Sequence, residues 1–476
     1  MMGSSTVPID YPSAWSRVRR GFVEFLWVPT VVVLGFAALA VGVVWLDRSA
    51  PGWIAPVRSV VEAHLFRRAG ATNAFLGMVT TGLITMTSIT FSMLLLALQQ
   101  SASLIGAQVV YSFLLRRRNQ LLLSFFLGST LFALVVHASA HEGFNPLLGA
   151  ALSLLLTAAA LYALAVLVFT AVNQMRPQTV IGEVRTLTLE ARRRQRELLL
   201  VSYRSPRYLG GTEVRIRTEQ HGYVREVKVD PLREALATRR GEVEVEIPLE
   251  IGDYVAYGEE LARVRAAVPE EAHRLAEVAR KAVELDYQRA VRRDPSFGIE
   301  QIRMIGWSSG STAYHNPSIA QEAIRNLRDI VARWTENYDE VEGSGGSLPL
   351  VYPDGLVQRA LTAMESLAVV ATESLQPKTF EEVLHAYSHV FGQLPEHLQD
   401  RTAISMGRLV TALGDLVLTP QLEKALGEVA QTLRASGYGN AADVVETATQ
   451  QMASGAGTLA ARATRVKEAT SDASGP

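Results

Sequence analysis

Residues 69–115 read AGATNAFLGMVTTGLITMTSITFSMLLLALQQSASLIGAQVVYSFLL, a run without one Asp, Glu, Lys or Arg. A second stretch, residues 119–175, carries Glu142 as its single charge. A soluble core rarely tolerates apolar runs of that length, whereas a bilayer asks for about 20 apolar residues per helix. These stretches decide the fold class, an α-helical integral membrane domain. Upstream, residues 22–46 form another apolar run, with Trp27 and Trp45 placed where indole rings favour the membrane interface. That run follows Arg17, Arg19 and Arg20 as a signal sequence would. It is too long for a signal core and lacks a small-residue cleavage site, so it reads as a retained helix. Four transmembrane helices are expected, at about 22–46, 73–99, 121–136 and 147–172.

Whole-chain averages hide this division. The 476 residues carry a net charge of −1, and 20% are charged, as in a soluble protein. After Arg176 the composition becomes that of a soluble domain rich in Glu and Arg. Near-neutral charge gives no reason to expect a nucleic-acid partner. The chain contains no cysteine, which excludes disulfides, thiolate metal sites and cysteine nucleophiles.

Orientation follows from the distribution of positive charge. Arg17, Arg19 and Arg20 precede the first span, Arg116, Arg117 and Arg118 separate the second from the third, and Arg176, Arg185, Arg192, Arg193 and Arg194 follow the fourth. With four spans all three groups share one side, so both termini are expected in the cytosol. The opposite side holds loop 137–146, free of Lys and Arg, and segment 47–72, whose Arg48, Arg58, Arg67 and Arg68 are discordant. Gly106 is a candidate break in a long second helix, leaving 108–115 along the inner interface or against the bundle.

The expected domains are a transmembrane domain at 1–176, a connecting helix and β domain at 177–268, and a helical segment at 269–342. A helical domain at 348–462 and a disordered tail at 463–476 complete the chain. The β assignment rests on alternation: Val214, Ile216 and Thr218 alternate with Arg215, Arg217 and Glu219, and Val243, Val245 and Ile247 with glutamates. A flexible connection is expected at 343–347.

Thr81, Thr85, Ser88, Ser92 and Gln99 recur at helical spacing, on one face of the second span. Two readings stand. The stripe is the wet wall of a pore, with Leu95 and Leu96 as an apolar gate that closes by dewetting. Alternatively it is a packing face, where hydroxyls bond to backbone carbonyls and let helices approach. The interior of the spans carries no Asp, Glu, Lys or Arg, which argues against a proton-coupled transporter. His137, His141 and Glu142 have spacing that would allow a shared metal, but a pair of interfacial histidines without a ligand is the preferred reading. No metal and no cofactor is expected.

The segment Gly252-Asp253-Tyr254-Val255-Ala256-Tyr257-Gly258-Glu259-Glu260-Leu261 resembles the biotinyl/lipoyl-type barrel-sandwich fold, in which glycines permit tight turns. Carriers of that type bear a modified lysine on the hairpin that follows. Here Ala262-Arg263-Val264-Arg265 follows, and Lys228 is too early, so the carrier role is not expected. Asp294, His315 and nearby serines lack a Gly-x-Ser-x-Gly elbow, so an enzyme is not expected either. Asp294, Phe297, His315 and Asn316 are read as interface candidates, and Gly222, Gly252 and Gly258 as structural turns.

Together the blocks Ile89-Thr90-Phe91-Ser92, Gln99-Gln100-Ser101-Ala102-Ser103, Gly222-Tyr223-Val224, Gly252-Asp253-Tyr254-Val255 and Asp294-Pro295-Ser296-Phe297-Gly298 carry a further likeness. Their order resembles a bacterial family of predicted membrane proteins, domain of unknown function 2254, over most of the chain. Where that family usually shows Ser-Pro-Gly-Ile-Asn-Asp-Pro, this chain has Ser308-Ser309-Gly310 and later His315-Asn316-Pro317. The resemblance implies a bacterial cytoplasmic membrane and supports the architecture.

The expected molecule is therefore a four-helix membrane domain joined to a cytosolic α+β region with a small barrel-sandwich-like β domain. Its expected role is a channel-like or pore-forming homo-oligomer with a regulatory cytosolic domain, since four helices rarely enclose a path alone. The alternatives are a non-conducting scaffold or sensor that binds cytosolic proteins and, second, a small-solute transporter.

Overall fold

The structure is a computed structural model and describes residues 14–49, 51, 55–105, 117–141, 143–174, 176–311, 316–336, 346–413 and 416–456. The Gly106 break and segment 108–115, Glu142, His315, most of the 343–347 connection and the 463–476 tail lie outside the described residues. The chain divides into two compact units, one ending at Arg176 and the other starting at Pro177.

The first unit is built from α1 (Ala14–Ser49), α2 (Ala55–His64), α3 (Ala69–Ile105), α4 (Arg117–Ser139) and α5 (Leu147–Gln174). Four of them are long and apolar enough to cross a membrane, with windows at Leu26–Ser49, Ala69–Met93, Gln120–Ser139 and Leu147–Thr170. Trp27 and Trp45 are exposed on α1. They stand about 27 Å apart at 1.5 Å per residue, close to the ~30 Å of a hydrocarbon core. Helix α4 packs against α1, α3 and α5. Glycines set the closest approaches: a Cβ on Gly128 would collide with the Phe36 ring, and one on Gly149 with Val136.

Asp47, at the end of α1, is buried, and its carboxylate accepts the backbone N–H groups of Leu148 at 3.1 Å and Gly149 at 3.0 Å. It thereby caps the start of α5, where unpaired amides and the helix dipole favour an anion. Arg58 donates to the Asp47 carbonyl at 3.2 Å, and the Arg48 guanidinium lies 5.2 Å from the Phe144 ring centroid. Two of the discordant arginines therefore tie this end of the bundle together.

The second unit begins with α6 (Pro177–Val201), which buries Ile181, Val184, Thr188, Ala191, Gln195, Leu198 and Leu199 along one side. This helical spacing packs it into the unit. The strands are β1 (Thr212–Arg217), β2 (Gly222–Val227), β3 (Val243–Glu246), β4 (Tyr254–Val255), β5 (Glu260–Ala266), β6 (Val283–Asp286) and β7 (Leu350–Val351). Helix α7 (Val229–Ala237) follows β2, and α8 (Pro269–Ala282) covers β1 and β5.

The expected barrel-sandwich is corrected here. The strands form two open sheets, a four-stranded one ordered β1-β5-β3-β7 and a three-stranded one ordered β4-β2-β6. The physical reason lies in β7, which arrives from far along the chain and pairs parallel with β3, occupying an edge that a closed hairpin fold would need. Alternation placed the apolar faces correctly: Val243, Val245 and Val264 enter one core with Ile216, Leu232 and Leu275. The polar residues between them form a cross-strand ladder. Arg265 of β5 reaches Glu213 at 3.1 Å, Glu244 at 3.1 Å and Glu246 at 3.0 Å, so this nearly buried cation meets three carboxylates.

Helices complete the unit: α9 (Pro295–Gly310), α10 (Pro317–Thr335), α11 (Leu356–Glu373), α12 (Pro377–Val390), α13 (Glu396–Thr411), α14 (Pro420–Ala435) and α15 (Gly439–Gln451). Asp294 starts α9, its carboxylate accepting the Phe297 N–H at 2.8 Å while Pro295 sets the first turn. Gly298 lets α9 lie against the Thr188 hydroxyl of α6, and Gly306 admits Ala323 and Leu367.

Candidate functional site

Helix α3 carries hydroxyls on two opposite faces. Thr81, Thr85, Ser88, Ser92 and Gln99 all point away from the bundle and are exposed. Leu95 and Leu96 flank the far end of that stripe and are 44% and 49% exposed. Met78, Ile84, Ile89 and Phe91 border it on either side. The Thr81 hydroxyl donates to the Gly77 carbonyl at 2.9 Å, and that of Thr85 to the Thr81 carbonyl at 3.0 Å. Their protons are thus committed to the backbone, and oxygen lone pairs face outward.

The other spans contrast with this. Away from the span ends, the exposed positions of α1, α4 and α5 are Leu, Val, Ala, Gly, Phe and Trp, with Thr30 and Tyr162 as the polar exceptions. That is the surface expected against acyl chains. Only the α3 face presents hydroxyls turn after turn among the described residues.

The inward face of α3 was not singled out by sequence reasoning. Thr80 and Thr90 are buried there, and Thr87 is partly so. The Thr87 hydroxyl lies 2.9 Å from that of Thr130 on α4 and 2.7 Å from the Leu83 carbonyl. Thr130 donates to the Phe126 carbonyl at 2.7 Å. This is the packing role that was the alternative for the other stripe, fulfilled by different residues. The signal was present in the seven-residue spacing of Thr80 and Thr87.

In the second unit, blocks distant in sequence converge. Gly252 has φ +99°, and a Cβ there would collide with the Asp294 carboxylate and with Arg289. Arg289 donates to Asp294 at 2.6 Å and to the Ser296 hydroxyl at 3.1 Å, and its guanidinium lies 5.4 Å from the Tyr223 ring and 4.9 Å from that of Phe297. On the other side of the turn, Asp253 accepts the Glu250 N–H at 2.8 Å and Arg359 of α11 at 2.6 Å. Arg359 also reaches Glu250 at 3.1 Å. Burial pushes the Glu250 carboxyl above its ordinary range against the pull of Arg359, and it does the same to Asp294 against Arg289. The Gly252-Asp253 turn therefore joins the sheets to α9 and α11. Sequence reading found Gly252 and Asp294 but not Arg289, Glu250 or Arg359, whose roles need the tertiary contact.

Of the interface candidates, Asp294 and Phe297 are buried inside the unit, at 4% and 8% exposure. Asn316 precedes α10, where its side-chain Oδ1 accepts the Ser318 hydroxyl at 2.7 Å. Gly222 opens β2, facing Asp286 of β6, and Gly258 has φ +81° with open space around it. His137 packs beside Gly77, while His141 donates from Nδ1 to the Ser139 carbonyl at 3.0 Å. The described residues contain no group of three or more His, Cys, Asp or Glu able to hold a metal.

No curated protein and no solved structure matches this chain. A family model does, from residue 23 at the start of the first span to residue 364 within α11. It covers all four spans, both sheets and the Gly252–Asp294 junction, so the chain belongs to the predicted membrane protein family DUF2254.

Proposed function

We propose that the protein is a homo-oligomer in which copies appose the hydroxyl faces of α3 to form a shared polar path. One observation carries this reading: among the described spans, the stripe of Thr81, Thr85, Ser88 and Ser92 is exposed on the single subunit where the other spans expose apolar side chains. Lone pairs turned toward acyl chains gain nothing, whereas lone pairs turned toward a wetted axis are solvated. Leu95 and Leu96 stand beside this stripe and form the apolar constriction, holding few waters unless opened. The unit from Pro177 onward is the regulatory part, in the cytosol of a bacterial cell with both termini, a reading supported by the arginine groups flanking the spans.

A second reading is favoured by the backbone bonds of Thr81 and Thr85, which satisfy both hydroxyls without water. In that case the face is a dry contact and the assembly a non-conducting scaffold. Subunit contact is common to both. Because the chain lacks cysteine, Ser88→Cys introduces a unique thiol. Oxidation in membranes is expected to cross-link Ser88→Cys into dimers, while Leu155→Cys on the apolar face of α5 stays monomeric. Absence of cross-linking at Ser88→Cys, Thr85→Cys and Ser92→Cys alike would exclude apposition of this face.

A further inference from the structure

The inward hydroxyls of α3 line up with polar groups of α4 and α5 in an order fixed by a few contacts. A Cβ on Gly77 would lie 3.6 Å from the His137 ring, and Thr87 meets Thr130 and the Phe126 carbonyl, so α3 and α4 run antiparallel in known register. Thr80 then falls about one turn below His137, and Thr90 near the level of Ser124. The contact of Gly149 with Val136 sets α5 against α4 and puts Ser153 about one turn deeper, at a level between Thr80 and Leu83. The seam from His137 to Thr90 rises about 20 Å, most of the ~30 Å hydrocarbon thickness.

Four polar atoms along this seam have no hydrogen-bond partner among the described residues: His137 Nδ1, Thr80 Oγ1, Ser153 Oγ and Thr90 Oγ1. Thr90 and Ser153 are 0% exposed and Thr80 is 7% exposed. Orphaned polar groups in a bilayer interior are costly, and buried groups of this kind are satisfied by water where two or more converge. Between them, Thr87 and Thr130 hold two hydroxyl protons for four acceptors, namely the Leu83 and Phe126 carbonyls and each other's hydroxyl oxygens. Lone pairs remain there for a water. Leu83, 0% exposed and packed with Val79, Phe126, Ala133 and Ala160, interrupts the seam between Thr80 and Thr87.

We propose that this seam takes a file of water molecules and relays protons through the interior of each subunit, with Leu83 as its plug. In a relay each water or hydroxyl accepts one proton and releases another. The groups end as they began, and the transmembrane pH difference drives the net movement. This path is separate from the shared face formed by Thr81, Thr85, Ser88 and Ser92.

The test is proton flux into liposomes holding the full-length protein, with an imposed pH difference, potassium and valinomycin to clamp the voltage, and a trapped pH dye. Leu83→Ala is expected to raise flux at least tenfold over wild type, and the smaller cut Leu83→Val severalfold. Adding Thr87→Val to either is expected to return flux to the wild-type level, since it removes the relay hydroxyl at constant volume. Leu155→Ala, on the apolar face of α5, is expected to leave the Leu83→Ala flux unchanged. A leak from a damaged fold would ignore Thr87, so flux that persists with Thr87→Val overturns the proposal. It is also overturned if Leu83→Val melts as wild type does and shows no added flux. Loss of flux with Leu155→Ala would show that residues off the seam govern the flux and overturn it too.

Discussion

Gly252 and Gly258 bracket one turn segment, and the structure separates their roles. Both have positive φ, but a side chain at Gly252 also meets the Asp294 carboxylate, while Gly258 faces open space. Gly258→Ala is expected to cost about 1 kcal/mol from backbone strain alone, and Gly252→Ala about 3 kcal/mol because strain and overlap combine. Denaturation of the full chain in detergent checks the order; equal losses would contradict it. The sequence marks both glycines through their spacing, yet cannot reveal Asp294 as a neighbour, because that contact depends on how α9 docks. The same junction makes stability depend on pH. Burial raises the carboxyls of Glu250 and Asp294 above their ordinary 4.5 and 3.8, so their ionisation opposes folding. Their contribution is fully present below those ordinary values and is lost as pH rises to the raised ones. Glu250→Gln keeps an oxygen for the Gly355 N–H, now accepted at 2.6 Å, and leaves Arg359 on Asp253. Melting temperature measured from mildly acidic to neutral pH is expected to fall less steeply in Glu250→Gln than in wild type. An unchanged slope would remove Glu250 from the account.

At the scale of the element, α3 shows what periodicity can and cannot tell. Spacing identifies Thr81, Thr85, Ser88, Ser92 and Gln99 as one face, and the structure keeps them on one face. Spacing does not say which way a face points, and Thr80, Thr87 and Thr90 supply a rival stripe that packing turns inward. The deciding facts are volumes on neighbouring helices, such as the His137 ring that lies against Gly77, and these are not written in α3. The two faces predict different phenotypes. Thr87→Val is expected to destabilise the subunit by about 1 kcal/mol, the size of an interhelical hydrogen bond in a membrane. Ser88→Leu is expected to leave subunit melting unchanged and to weaken assembly, read as loss of oligomer by light scattering in detergent. The reverse pattern would mean that the faces have been assigned the wrong way round.

For the whole molecule, four spans and an α+β region were legible because charge-free runs and alternating strands depend on composition along the chain. The sheet closure was not, because β7 joins β3 from beyond α8, α9 and α10 and sequence alternation carries no partner information. The discordant arginines also needed tertiary structure, since the Arg58 contact with Asp47 joins segments that hydropathy treats separately. Topology remains directly testable: in spheroplasts, Ser59→Cys is expected to react with an impermeant thiol reagent, and Ser205→Cys only after lysis. Labelling of Ser205→Cys from outside would invert the arrangement. The central claim, that apposed α3 faces make a gated polar path, is tested most directly by conductance of the purified oligomer in planar bilayers. Leu95→Ser and Leu96→Ser wet the constriction and are expected to raise current severalfold over wild type, whereas Ser92→Leu lengthens the dry segment and lowers it. Intact oligomers that show no current in wild type and in all three variants would contradict the claim.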